Sequence, residues 1–142
     1  VITEKRQSLR LMEFDYRRKI GLGEFLTQEQ IEQRASLQVF DLLRTFRTID
    51  VSPSYGKGSI AEYYAISKRA GATFQGGAAS GSCAMSVLVD AVPMPTPFDL
   101  TMLPSPRELA GIEVYSGSAT IPPEYNGMNR GCGVILIWTK DR

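Results

Sequence analysis

Val87-Leu-Val89 and Val134-Ile-Leu-Ile-Trp138 are continuous apolar runs of β-forming residues. A strand with one wet face alternates polar and apolar residues, and these two do not. They read as strands covered on both faces, one over Met85–Val92 and a closing one over Val134–Thr139. Pro93, Pro95 and Pro97 end the first. Ser105-Pro106-Arg107-Glu108 is a helix start, with Ser as N-cap, Pro at the first position and Glu at the third. Gly111 keeps that helix short. Ile112–Tyr115 is a strand, Ser116-Gly117 a turn, and Pro122-Pro123-Glu124-Tyr125 one helical turn.

Upstream, Tyr63–Ser67 is a strand candidate, and Thr48–Val51 is a short segment closed by Pro53 and Gly56. Ala70–Ser82 is rich in Gly and Ala and reads as a loop. It leads into a strand, whereas a phosphate cradle leads from a strand into a helix. Ser36 caps a helix in which Leu37, Phe40, Leu43 and either Val39 or Phe46 make an apolar stripe. Another helix begins at Thr27, with Gln30 completing a capping box, and runs to about Arg34. Residues 4–24 are charged and end in Ile20-Gly-Leu-Gly23, so residues 1–24 read as a partly ordered segment. Within it, Val1-Ile2-Thr3 reads as a strand end. The order of elements gives an α+β class, a small mixed β-sheet with short helices, as one domain over residues 1–142.

The composition narrows the function. Sixteen basic side chains face fifteen acidic ones, and neither half of the chain is polarised, so no basic footprint for nucleic acid is present. No apolar run nears the ~20 residues that span a bilayer. The chain opens at Val1 without a Met, and it reads as a mature or trimmed piece. Histidine is absent, which removes serine triads and most zinc sites. Cys83 and Cys132 alone are too few for a Cys-only metal site. No cofactor, no metal and no enzyme activity are expected.

Several motifs then carry a resemblance. Val87-Leu-Val-Asp-Ala-Val-Pro93, Ala110-Gly-Ile-Glu-Val-Tyr-Ser-Gly-Ser-Ala119 and Gly133-Val-Ile-Leu-Ile-Trp-Thr-Lys140 resemble three strand segments of TonB-dependent outer-membrane receptor plug domains. Leu26-Thr-Gln-Glu-Gln-Ile31 and Asp41-Leu-Leu-Arg44 stand where plugs carry a pair of helices. The order and spacing agree over about residues 1–142. With Cys83 and Cys132, the chain is especially similar to plug-like domains found without a barrel, behind a carboxypeptidase-regulatory-type β-sandwich. It departs from plugs at Ser118, where they usually have Pro, and at Ala91, where they usually have Gly. The Arg-Gly pair of plugs has only Arg69 as its counterpart, with Gly71 one place late. No TonB box stands near Val1.

The resemblance implies a non-catalytic binding or gating module of a TonB-dependent receptor; the alternative is a free-standing periplasmic interaction domain with a plug fold and no barrel. Its expected place is the periplasm, or the periplasmic side of the outer membrane, of a Gram-negative bacterium. The implied partners are a β-barrel in the same polypeptide or a TonB-type coupling protein, with no nucleic acid and no membrane span in these residues. Carried onto this sequence, Glu113 and Arg69 are the expected barrel contacts, and a solvated strand-face carboxylate is the plain alternative for Glu113. The loop Tyr125-Asn126-Gly-Met-Asn-Arg130 is polar and aromatic, and it suits a partner contact through Tyr125, Asn126 and Arg130. Cys83 and Cys132 each precede an apolar strand. Either they pair, closing a loop worth about 4 kcal/mol in the chain-entropy model, or they are two buried thiols. A bridge fits an oxidising compartment. Asp90 reads as a turn-capping carboxylate, and Asp90 with Glu113 is the one carboxylate pair to examine for acid–base work.

Overall fold

The computed structural model describes residues 8–34, 38–55, 61–69, 84–125 and 131–141. The elements run α1 (Leu9–Ile20), β1 (Glu24–Thr27), α2 (Gln28–Arg34), α3 (Val39–Leu43), β2 (Ile49–Tyr55), β3 (Ala61–Ser67), β4 (Ser86–Val89), β5 (Val92–Pro93), β6 (Leu109–Tyr115) and β7 (Val134–Thr139). Single 3-10 turns lie at Leu100–Met102, Pro106–Glu108, Ser118–Thr120 and Pro123–Tyr125. A five-stranded sheet has the order β1-β6-β7-β4-β5, and β2 and β3 form a second, antiparallel pair. The larger sheet is mixed: β4 runs parallel to β7, and the other neighbours are antiparallel. The α+β class with a small mixed sheet is therefore as expected.

The two apolar runs are adjacent central strands, with Val87 opposite Ile135 and Leu88 opposite Leu136. Alternation along them sends residues to two separate cores. Ile112, Val114, Ile135, Ile137 and Val87 meet Ile31 of α2 and Leu42 and Leu43 of α3 on one face. Tyr115, Val134, Leu136, Trp138 and Leu88 meet Leu11 and Phe14 of α1 on the other. The small β2–β3 sheet completes the first layer. Phe40 of α3 stacks on Tyr63 at 4.4 Å between centroids, and the Met85 amide donates to the Ala65 carbonyl at 2.9 Å.

The start of α2 is built as its sequence indicates. The Thr27 amide donates to Gln30 Oε1 at 2.9 Å, and the Gln30 amide donates to Thr27 Oγ1 at 3.3 Å. Three readings need correction. The first concerns residues 4–24, where Leu9–Ile20 is an α-helix and not a loop. Gly21, taken as a loop signal, is its left-handed stop at φ 76°, with its amide donating to the Arg17 carbonyl at 3.0 Å. A glycine after a basic last turn is a helix end. The second is that β2 passes through Pro53 to Tyr55; in a two-stranded sheet Pro tolerates an edge position. The third is that the Met85 strand stops at Val89. Asp90 and Ala91 turn it with φ of 50° and 69°, and Val92 and Pro93 pair back on Val89 and Leu88. The expected strand at Val1–Thr3, the Ser36 cap and the Ala70–Ser82 loop lie outside the described residues; α3 begins at Val39 after Gln38.

Candidate functional site

Ile112 and Val114 point to the α2–α3 core, so Glu113 points to the opposite face of β6. That face is also closed, by α1, and Glu113 is 0% exposed. A buried carboxylate requires partners for its charge and its lone pairs. Glu113 Oε1 accepts from Arg17 Nε at 2.7 Å and from the Tyr115 hydroxyl at 2.7 Å. Its Oε2 accepts from Arg17 Nη2 at 2.8 Å and from the Trp138 indole N–H. The Arg17 contact is a two-pronged, charge-assisted pair. The guanidinium also lies 5.7 Å from the Tyr125 ring centroid and 5.8 Å from that of Trp138.

The electrostatics follow from burial and from this pairing. Burial alone lowers the Arg17 value, but the bond and charge of Glu113 outweigh it and hold the guanidinium more firmly protonated. Burial, and then the charge of Glu113, push the Tyr115 phenol up, so it stays a hydrogen-bond donor. With four donors on its two oxygens, Glu113 acts as a clamp between β6, β7 and α1. The expectation of a solvated strand-face carboxylate is corrected. The miss traces to α1, whose ordered turns supply Arg17 and cover the sheet.

Two glycines make that closure physically possible. A Cβ at Gly111 would come within 2.6 Å of the Phe14 ring, and one at Gly23 within 2.6 Å of the Tyr115 ring. Without a bare backbone at Gly111 α1 could not sit this close, and without one at Gly23 the chain entering β1 could not pass the Tyr115 ring of β6.

The other candidate residues lie apart from Glu113. Arg69 is exposed beyond β3, where its amide donates to Ser67 Oγ at 3.1 Å and its side chain lies near Gly117. The basic partner of Glu113 is thus Arg17, and Arg69 stands past the end of β6. Tyr125 is buried under Arg17 at 9% exposure, whereas Asn126 and Arg130 lie outside the described residues. Cys132 is buried just before β7, and Cys83 lies outside the described residues, so their pairing does too. Asp90 accepts from the Thr139 amide at 2.9 Å and the Thr139 hydroxyl at 2.6 Å, and pairs with Arg10 at 2.6 Å. The expected role is a cap on its own turn; the side chain instead ties that turn to β7 and α1. Thr139 stands three residues along β7 from Leu136, the partner of Glu113, about 10 Å at strand rise. Asp90 and Glu113 therefore bind separate partners and do not converge on one reacting atom.

Beside the clamp a groove of about 590 Å³ runs between the C-terminal half of α1 and the segment 119–124. Among the described residues, no group of three or more acidic or Cys side chains is placed to hold a metal, and no helix is long and apolar enough to cross a membrane.

No family model matches the chain, and no curated protein matches it. Solved structures do. The siderophore receptor PirA from Acinetobacter baumannii aligns over 84% of this chain with a TM-score of 0.54 and 15% identity. The ferric enterobactin receptor PfeA, solved in complex with BCV-L6, aligns over 85% with a TM-score of 0.51 and 15% identity. At such identity the likeness is one of fold. This chain spans only 17% and 18% of those receptor chains. In this chain the closing strand lies in the same sheet as Val87–Val89.

Proposed function

We propose that this chain is a plug-like, non-catalytic binding or gating module of a TonB-dependent outer-membrane receptor. The observation that carries the proposal is the fold likeness to two receptors across more than four-fifths of the chain. The ordered motifs around Asp90, Glu113 and Gly133 support it independently. On this reading the module sits at the periplasmic side of the outer membrane and works through loop contacts. Arg69, Asn126 and Arg130 are the residues to probe, with a barrel in the same polypeptide or a TonB-type coupling protein as partner. A Cys83–Cys132 bridge belongs to the same proposal. Cys132 lies two residues before Val134, the parallel partner of Ser86, so both cysteines precede strands that enter the sheet in one direction. Intact mass with and without reductant should differ by two hydrogens; equal masses would remove the bridge.

A second reading is a free-standing periplasmic interaction domain. One observation favours it: Arg17 of the same chain already occupies Glu113, the carboxylate that the resemblance assigns to a barrel wall. An immunoblot of fractionated native cells separates the two. A band several times heavier than 15.7 kDa in the outer-membrane fraction supports the receptor. A small periplasmic band supports the free domain, and a cytosolic band overturns both.

A further inference from the structure

We propose that the groove beside α1 binds an organic monocation with an aromatic or aliphatic body. This inference does not rest on the plug reading. The groove walls are apolar: Tyr16, Ile20 and Leu22 on one side, Ile121 and Pro122 on the other. Tyr16, Ile20 and Leu22 are 67%, 52% and 62% exposed, an unusual amount of uncovered apolar side chain for one short stretch. Glu13 and Glu124 stand exposed on the two rims. Neither is among the ion pairs of the described residues.

The sign of the groove follows from its lining. Among the described lining residues Arg17 is the one basic side chain, and that guanidinium is bonded at two points to Glu113. The two rim carboxylates are the remaining charged side chains among the described lining residues. Both line the groove, and both charges are felt at the buried Tyr125 phenol, which burial raises first, against Arg17, with Glu113, Glu124 and Glu13 adding. An anion is repelled by this rim. A neutral apolar molecule gains only the area it covers. A cation on an apolar body gains area, two carboxylates and the face of Tyr16. The volume suits a small ligand.

Three probes with one indole skeleton test the sign: tryptamine (cation), tryptophol (neutral) and indole-3-propionate (anion). Each is titrated into the full chain, following backbone amide NMR shifts. The expected result is saturable shifts confined to residues 16–22 and 119–124. Tryptamine should bind about fivefold tighter than tryptophol, the scale of two exposed ion pairs, and the anion weakest. In a Glu13→Gln/Glu124→Gln chain, both changes being at exposed positions, amine and alcohol should bind alike. Equal binding of amine and alcohol by the unaltered chain overturns the proposal. So does a preference that survives the double substitution, or shifts spread away from the groove.

Discussion

The two faces of the five-stranded sheet are held by different physics. Against α2 and α3 the contact is apolar and mainly aliphatic, with Leu42, Leu43, Ile112, Val114, Ile135 and Ile137 essentially without exposure. Against α1 only Leu11 and Phe14 are buried from the helix, and the centre is an ion pair wrapped in aromatic rings. The first face gains by area, and each side chain contributes nearly independently. The second depends on mutual satisfaction. Each member of the Arg17–Glu113–Trp138–Tyr115 group is tolerable in a dry interior because the others are present. A sheet can thus be covered by a helix that offers little apolar area, provided that it brings a charge to a carboxylate.

Substitutions should separate the two regimes. The largest effect is expected at Arg17→Met, which strands a buried carboxylate and should cost about 3–5 kcal/mol in urea unfolding. Adding Glu113→Leu should recover most of that loss, because paired removal leaves no orphan charge. On the aliphatic face Leu43→Ala should cost about 3 kcal/mol, and no second substitution there should rescue it. If the Arg17 loss is no larger than a surface change, or if Leu43→Ala is rescued by a neighbour, the contrast between the faces fails.

Two smaller effects fall at the edge of the sheet. Ala91 carries φ 69° in the β4–β5 turn, a conformation that costs an L-residue roughly 1 kcal/mol. Ala91→Gly should therefore raise stability by up to about 1 kcal/mol, with a higher midpoint at unchanged slope. Asp90 belongs to the α1 side, since Arg10 of that helix docks on it. Burial pushes its carboxyl up, but the Thr139 bonds and Arg10 outweigh this and hold it below the usual range. A depressed folded value means that the contribution is present above about pH 4 and lost as pH falls through the folded value. Asp90→Asn should cost under ~1 kcal/mol at neutral pH and flatten the stability profile below pH 4. An unchanged acid limb would remove Asp90 from the α1 attachment.

The aliphatic face was legible because its signals are local and repeated. Thr27 and Gln30 announce α2, and unbroken apolar runs announce β4 and β7. The α1 face was not legible, and residues 9–20 show why. The helix turns Leu11 and Phe14 inward but leaves Leu9, Met12, Tyr16 and Ile20 exposed, so no single apolar stripe marks it. Its most informative inward residue is Arg17, which sequence reasoning treats as surface charge. A strand carboxylate flanked by Ile112 and Val114 reads as solvated until a second layer is known. The side chain that pairs with Glu113, Arg17, therefore has no signal in the sequence of β6 itself. Gly21 after Arg17-Arg-Lys19 was the available clue, a helix stop behind a basic last turn.

The central claim is that α1 seals a saturated carboxylate inside the sheet. Trp138 is the only tryptophan of the chain, so its indole N–H gives one proton resonance with a known partner, Glu113. Hydrogen exchange of that proton tests the claim directly. The account predicts that it exchanges as slowly as the β6 and β7 amides, through global unfolding, and that Arg17→Met accelerates it strongly. Exchange at the rate of a free indole in the unaltered chain would contradict the account.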